Sequence, residues 1–229
     1  MTIPWGAIIN SLTIVIGAIL GLFLGSLISD RVRVLVFQLF GLCLVAISLK
    51  MINQGNIILV LLSCVLGAIT GELLKLSERL DHLGDTLKNI IKSKNPRFTE
   101  GLIESSVLVC VGAMSIIGSF EEGLGKGRTT VLTKTLIDFF SVMILASRLG
   151  SGVILASISV LVYQGALTTL ASILHPYFSP GIEACLTGTG GVIVLGIAVN
   201  MIGLKPPISI SSTLPALIWA IILGAIISS

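Results

Sequence analysis

ESSVLVCVGAMSIIGS (residues 104–119), TTVLTKTLIDFFSVMILASRLG (129–150) and GVILASISVLVYQG (152–165) decide how the rest of the chain is read. They are three apolar segments long enough to cross a bilayer. The middle one carries Lys134 and Asp138, four residues apart on one helical face. The first is interrupted by Gly112 and Gly118, and the third holds Tyr163, Gln164 and Gly165 inside an apolar run. A charge in the hydrocarbon core costs about 2.5–3.5 kcal/mol on insertion scales, so such groups turn inward and pair. The stretch therefore reads as the lining of a polar site inside a membrane protein.

Composition agrees. The chain has 229 residues, 54% hydrophobic and 11% charged, with a mean hydropathy of +1.08. A soluble domain carries about 25% charged residues. Seven or eight stretches approach the ~20 apolar residues of a transmembrane helix. The expected fold is all-α: a polytopic membrane helix bundle of about eight transmembrane helices, with seven as the alternative count. The net charge of +3 gathers in loops, and the two Trp and two Tyr are not interleaved with Lys or Arg. No nucleic acid partner is expected. Cys43, Cys64, Cys110 and Cys185 lie in or beside apolar segments and form no Cys-x-x-Cys pair. They read as small buried hydrophobes, with no disulfide, metal site or cofactor expected.

The spans fall at 5–28, 34–52, 57–74, 102–119, 129–147, 153–174, 182–203 and 208–227. Gly17, Gly21 and Gly25 recur every four residues in the first, a ladder that admits a close helix neighbour. Such faces also suit a homodimer. Between the third and fourth spans lies the longest polar section, 75–99. Leu76, Leu80, Leu83, Leu87 and Ile90 form an apolar stripe there; Lys88, Lys92, Lys94 and Arg97 gather toward its end, and Pro96 stops the helix. This helix lies on the membrane surface or docks a partner. Gly84 in its middle weakens it.

The loops after spans one, three, five and seven hold ten of the Lys and Arg, and the other loops three. Positive residues stay inside. The first set is therefore expected to be cytoplasmic and both termini outside; a re-entrant span would flip the C-terminus. The chain reads as one membrane domain, 1–229. Residues 5–74 form a first repeat, 75–99 the cytoplasmic segment, 102–174 a second repeat and 182–227 a C-terminal helix pair. The repeat rests on offsets of 95, 97 and 98: Ser11 with Ser106, Arg31 with Arg128, and Gly67 with Gly165. Three spans per copy would make the repeat inverted, as in many secondary transporters. Chance similarity among Gly/Ala/Leu/Val-rich helices is the competing explanation.

Gly112-Ala113-Met114, Gly118-Ser119, Lys134 with Asp138, Ala146-Ser147, Leu149-Gly150, Gly152-Val153, Tyr163-Gln164-Gly165 and Leu214-Pro215-Ala216 resemble the bacterial YqgA/YdfK-like integral membrane family. It is a domain-of-unknown-function family, and Arg148 departs from its pattern. The resemblance covers essentially the whole chain and implies a multi-pass protein of the bacterial inner membrane. It implies no substrate or activity.

The chemistry must come from the residues. Asp138 is about ten residues into its span, so at ~1.5 Å per residue it is ~15 Å deep, near mid-bilayer. With Lys134 it forms either a structural ion pair or a switchable one that exchanges a proton, ion or solute. Glu104 and Glu183 start their spans and serve as gate acids or as partners of the helix dipole. Ser141, Gln164, Ser115 and Thr187 offer neutral oxygens. Gly188, Gly190 and Gly191 either open span seven around Thr189 to expose backbone groups or serve close packing. The expected function is a small secondary transporter of a small solute or ion. The alternative is a non-transporting scaffold or regulator acting through the 76–97 helix. An enzyme is not expected: there is no His-Glu-x-x-His or Gly-x-Ser-x-Gly, and neither His82 nor His175 has a plausible site partner. Gly125-Lys126-Gly127 fails as a phosphate loop, because Gly127 replaces the required hydroxyl residue.

Overall fold

The computed structural model describes residues 3–111, 113–174 and 179–227, so Gly112 and His175 lie outside the described residues. The regular structure is helical. In order it comprises α1 (Trp5–Leu27), α2 (Asp30–Ile52), α3 (Ile57–Leu73), α4 (Leu76–Ile90), α5 (Phe98–Cys110), α6 (Ala113–Gly123) and α7 (Thr129–Leu149). A 3-10 turn (Ser151–Leu155) leads into α8 (Ala156–Thr169). Then come α9 (Ala171–Leu174), α10 (Pro180–Ile202), α11 (Ile210–Thr213) and α12 (Pro215–Ile227).

Among the described residues, five helices are long and apolar enough to cross a membrane: α1, α2, α7, α8 with its 3-10 turn, and α10. The number is seven if α3 with α4, and α5 with α6, each make one bent span. The eighth expected span is shorter: Ile210–Ile226 is apolar and helical, with a turn at Leu214 before Pro215, which has no N–H to continue the ladder, and it falls short of a full crossing.

Local chemistry sets the ends. Asn56 caps α3 by accepting the Ile58 N–H at 3.0 Å. Ser179 caps α10 by accepting the Ile182 N–H at 3.3 Å, with Pro180 in the first turn. Gly203, at φ +110°, ends α10 in the left-handed region that favours glycine. The chain bends by 64° from α3 to α4 and by 59° from α5 to α6. Glu104 shows how boundaries matter: α5 begins at Phe98, so Glu104 is a buried mid-helix acid rather than the start of a span, and Glu100 holds the first turn.

The chain forms two compact units, each drawn from three stretches of sequence: residues 1–37, 84–110 and 114–177, and residues 38–83, 111–113 and 178–229. In the first, α1 packs along α7 and then α8. A Cβ at Gly17 would sit 2.8 Å from the Phe139 carbonyl oxygen, one at Gly25 would sit 2.8 Å from that of Ser147, and one at Gly21 would collide with that of Met143. The ladder therefore carries backbone-to-backbone packing, as expected, and this face is taken up within the chain. Because 17, 21 and 25 oppose 139, 143 and 147 in rising order, α1 and α7 run in the same direction. Gly84 also has a use: a side chain there would meet Thr99, so glycine lets α4 seat against the start of α5.

In the second unit α3, α10 and α12 pack together, with Leu59, Cys185 and Ala220 in a common core. Gly67 lies against Ala216, and Gly71 against the Ser212 carbonyl. Large apolar side chains such as Leu12, Ile16 and Phe23 on α1 and Leu136 and Phe140 on α7 are exposed, the surface a chain needs when lipid is its solvent.

Candidate functional site

The polar site lies inside the first unit. Lys134 and Asp138, each 5% exposed, form an ion pair across one turn of α7. Lys134 Nζ also donates to the Val109 carbonyl at 2.6 Å. Val109 is in the last turn of α5, whose final carbonyls lack partners within the helix. The ammonium thus occupies a helix end that the break before α6 leaves open. Ser115 Oγ, at the start of α6, donates to the same carbonyl at 3.3 Å.

Asn10, on α1, joins the helices. Its Nδ2 donates to Asp138 Oδ2 at 2.8 Å and to Gln164 Oε1, on α8, at 3.1 Å. Asn10 and Gln164 are both fully buried. Yet Asn10 Oδ1 and Gln164 Nε2 have no hydrogen-bond partner among the described residues. A buried polar atom left unpaired costs about 1–3 kcal/mol. One free acceptor and one free donor are therefore held, at a cost in stability, on two amides already bonded to each other.

The order within the pair is informative. On an isolated helix an acid four residues before a base agrees with the macrodipole and is the better arrangement. Here Lys134 precedes Asp138. The order suits the neighbours instead: the ammonium reaches Val109, and the carboxylate reaches Asn10.

The structure thus brings together Lys134, Asp138 and Gln164, with Ser115 beside them. Tyr163 is half-buried next to Gln164 and makes none of these bonds. Ser141 returns its hydroxyl to the Ile137 carbonyl at 2.8 Å, one turn back on its own helix. Glu104 is buried in α5. Gly118 is a contact residue: a Cβ there would sit 2.9 Å from the Val131 nitrogen on α7. Gly112 lies outside the described residues.

Glu183, Thr187, Gly188, Gly190 and Gly191 belong to the second unit, on α10. The opening of span seven is not found, since α10 is continuous from Pro180 to Ile202. Its glycines serve packing. A Cβ at Gly188 would sit 2.7 Å from Val60 Cγ2, one at Gly191 would sit 2.9 Å from the Ser48 carbonyl oxygen, and one at Gly190 would collide with Val111. Arg148, the departure from the family pattern, stands in the last turn of α7, where a cation matches the helix dipole.

Sequence reasoning missed Asn10, Glu122 and the Val109 carbonyl. Asn10 had a usable signal: it is an amide inside an apolar span, where each polar group carries a cost. The Val109 carbonyl had none, because a backbone oxygen becomes a ligand only where a neighbouring side chain reaches it.

The chain matches the family model described as Protein of unknown function (DUF554) over residues 5–225. It is similar to the uncharacterized protein YqgA of Escherichia coli (strain K12), 27% identical over 226 residues, 96% of each chain. It is also similar to the uncharacterized membrane protein YdfK of Bacillus subtilis (strain 168), 26% identical over 206 residues, 88% of this chain and 87% of the relative. No solved structure matches it.

Proposed function

Since this chain belongs to the DUF554 family of unknown function and is a membrane protein, we propose from its geometry that it is a small secondary transporter of a small solute. One observation carries this. A charged pair sits deep in α7 at a helix break, and the two amides linked to it, Asn10 directly and Gln164 through Asn10, keep a free acceptor and a free donor. A purely structural ion pair has no need of unsatisfied neighbours. A site that exchanges its partners for a guest does. Lys134 acts as a tethered cation on the α5 carbonyl end, and Asp138 as the counter-charge that a guest or a proton can take over. The protein is then a carrier, with no catalytic step and no cofactor, and its partners are the bilayer and the solute. The likeness of residues 5–74 to 102–174 would supply the inverted halves of alternating access.

The end carrying Arg31, Arg33, Lys94, Arg97 and Arg148 is assigned to the cytoplasm of the bacterial inner membrane, and the Glu122–Arg128 end to the outside. Arg33 donates to the Gly25 carbonyl at 3.0 Å, and Asn95 to the Leu149 carbonyl at 2.6 Å, which gathers those loops at one end of the unit.

The test is flux into proteoliposomes across small ions, amino acids, polyamines and carboxylates. Asp138→Asn is expected to abolish uptake while the protein still inserts and unfolds cooperatively. A mutant that keeps full flux sinks the assignment, and one that fails to fold returns the pair to a structural role.

A second function is favoured by α4, where Leu83 and Ile90 are 54% and 70% exposed beside basic residues. That face suits a membrane surface or a docked regulator. Deleting residues 76–97 would then destroy function while substitutions in α7 would not.

A further inference from the structure

Glu122 stands near the end of α6 away from the helix break. Its side chain is 2% exposed. Oε1 and Oε2 accept the Gly6 N–H, in the first turn of α1, at 2.9 and 3.0 Å. Oε1 also forms an ion pair with Arg128 Nε at 2.7 Å, and the Arg128 side chain is 48% exposed. Between the two, Gly125 and Gly127 adopt φ of +73° and +125°, open to glycine and strained for other residues. The turn borders an open cavity of about 390 Å³ lined by Glu122, Gly125, Gly127 and Arg128.

Polar groups lead inward from this ion pair. Ser115, Ser119 and Glu122 are spaced by four and three along α6 and share one of its faces. Gly6 and Asn10 are one turn apart on α1, and Thr168 and Gln164 one turn apart on α8, about 6 Å of rise in each case. Gly123 is so close to the Thr168 carbonyl that a Cβ would collide with it, which brings α6 and α8 together. Ser119 Oγ and Thr168 Oγ1 are buried and have no hydrogen-bond partner among the described residues, like Asn10 Oδ1 and Gln164 Nε2 deeper in. Orphaned hydroxyls and amides on three facing helices are unexplained by core packing. They are what a path for a polar guest requires, because the guest supplies the missing partners.

Resting on the transport function above, we propose that Glu122 and Arg128 form the outer station of a polar path ending at Lys134 and Asp138, and that the guest is a small zwitterion bearing one ammonium and one carboxylate. Both stations pair one cation with one anion. A lone ion taking a place in either would leave an unbalanced charge in a low-dielectric interior. A zwitterion replaces each pair charge for charge. Its carboxylate is taken by Arg128 and then Lys134; its ammonium is taken by Glu122, then by Asp138 and the Val109 carbonyl. With no guest, Glu122 ties the first turn of α1 to α6 and to Arg128, and so seals the path.

The experiment is cysteine labelling in a background with Cys43, Cys64, Cys110 and Cys185 replaced by alanine. Ser119→Cys is exposed to a small water-soluble methanethiosulfonate in proteoliposomes; Phe140→Cys, on a lipid-facing side chain 55% exposed, is the control. Thr168→Cys is the second position should Ser119→Cys fail to fold. Labelling is expected to be slow in this background and roughly tenfold faster once Glu122→Gln loosens the seal. Glycine, L-alanine or β-alanine should slow it, and equal concentrations of acetate or methylammonium should not. Path cysteines that label no faster than Phe140→Cys with or without Glu122→Gln overturn the path. Protection by acetate or methylammonium as strong as by the amino acids, or by none of the solutes, overturns the zwitterion. Neither result touches transport itself, which stands or falls on flux and its loss in Asp138→Asn.

Discussion

Asn10 ties α1 to α7 and α8 by donating to Asp138 and Gln164 at once. Asn10→Ala should therefore lower stability by about 1–3 kcal/mol, since it strips a partner from a buried carboxylate and orphans the Gln164 oxygen. Thermal unfolding in detergent reads this directly. The charge pair allows a sharper separation of stability from function. Lys134→Met or Asp138→Leu alone leaves an uncompensated buried charge and should cost roughly 3–5 kcal/mol. The double variant Lys134→Met/Asp138→Leu removes both charges and should recover most of that loss while uptake stays at zero. Uptake that returns with stability would make the pair purely structural. Lys134 and Asp138 were legible as a pair because two charges four residues apart stand out in an apolar span. Asn10 gave a fainter signal, a lone amide in an apolar span, which went unread because the glycine ladder accounts for the first span without it. An amide carries no charge to mark it, and its partners lie 128 and 154 residues away.

At the scale of elements, glycine decides how closely helices approach, yet its meaning cannot be read from spacing. Gly17, Gly21 and Gly25 pack α1 on α7, and Gly188, Gly190 and Gly191 do the same job for α10. The former looked like packing, while the latter suited either packing or an opened helix, because two adjacent glycines beside threonines are also what a broken span contains. Only the neighbours distinguish them. The contrast is testable within one protein. A side chain at Gly21 would meet the Met143 backbone, whereas at Gly165 the nearest atom is Pro4 Cγ, 4.0 Å away. Gly21→Ala should depress folded yield and midpoint in a thermal melt. Gly165→Ala should be neutral or stabilising by up to ~1 kcal/mol, through the lower entropy cost of alanine in a helix. Equal effects would mean that α1 and α7 do not approach as closely as the backbone contacts require. The fourth span is expected to be interrupted at Gly112 and Gly118; α6 runs unbroken through Gly118, while α5 ends at Cys110. The use of that helix end was not legible: the freed carbonyl of Val109 meets a lysine 25 residues on.

For the whole molecule, sidedness is set by where the basic loops lie. Basic residues in alternate loops gave an orientation from sequence, but counting charges cannot say whether each span crosses. In the first unit α1 and α7 run parallel, which is what alternate crossing by the intervening spans requires, with α5 and α6 counted as one bent span. The arrangement also separates two ends. Arg33 and Asn95 bond near Ser147 and Leu149, whereas Glu122, Arg128 and the first turn of α1 meet at the other end. Single cysteines at Ser93 and at Gly127 should therefore react with an impermeant maleimide from opposite sides of sealed vesicles. Ser93→Cys should react only in inside-out vesicles and Gly127→Cys only in right-side-out ones. Reaction of both from one side would show that a span is re-entrant. Reaction with the sides exchanged would keep the fold and reverse the positive-inside assignment, placing the Glu122–Arg128 station at the cytoplasm. If the sides are as assigned, a solute outside meets the Glu122–Arg128 pair first and the Lys134–Asp138 pair second. Uptake rather than export would then be the direction in which Glu122→Gln alters the entry step.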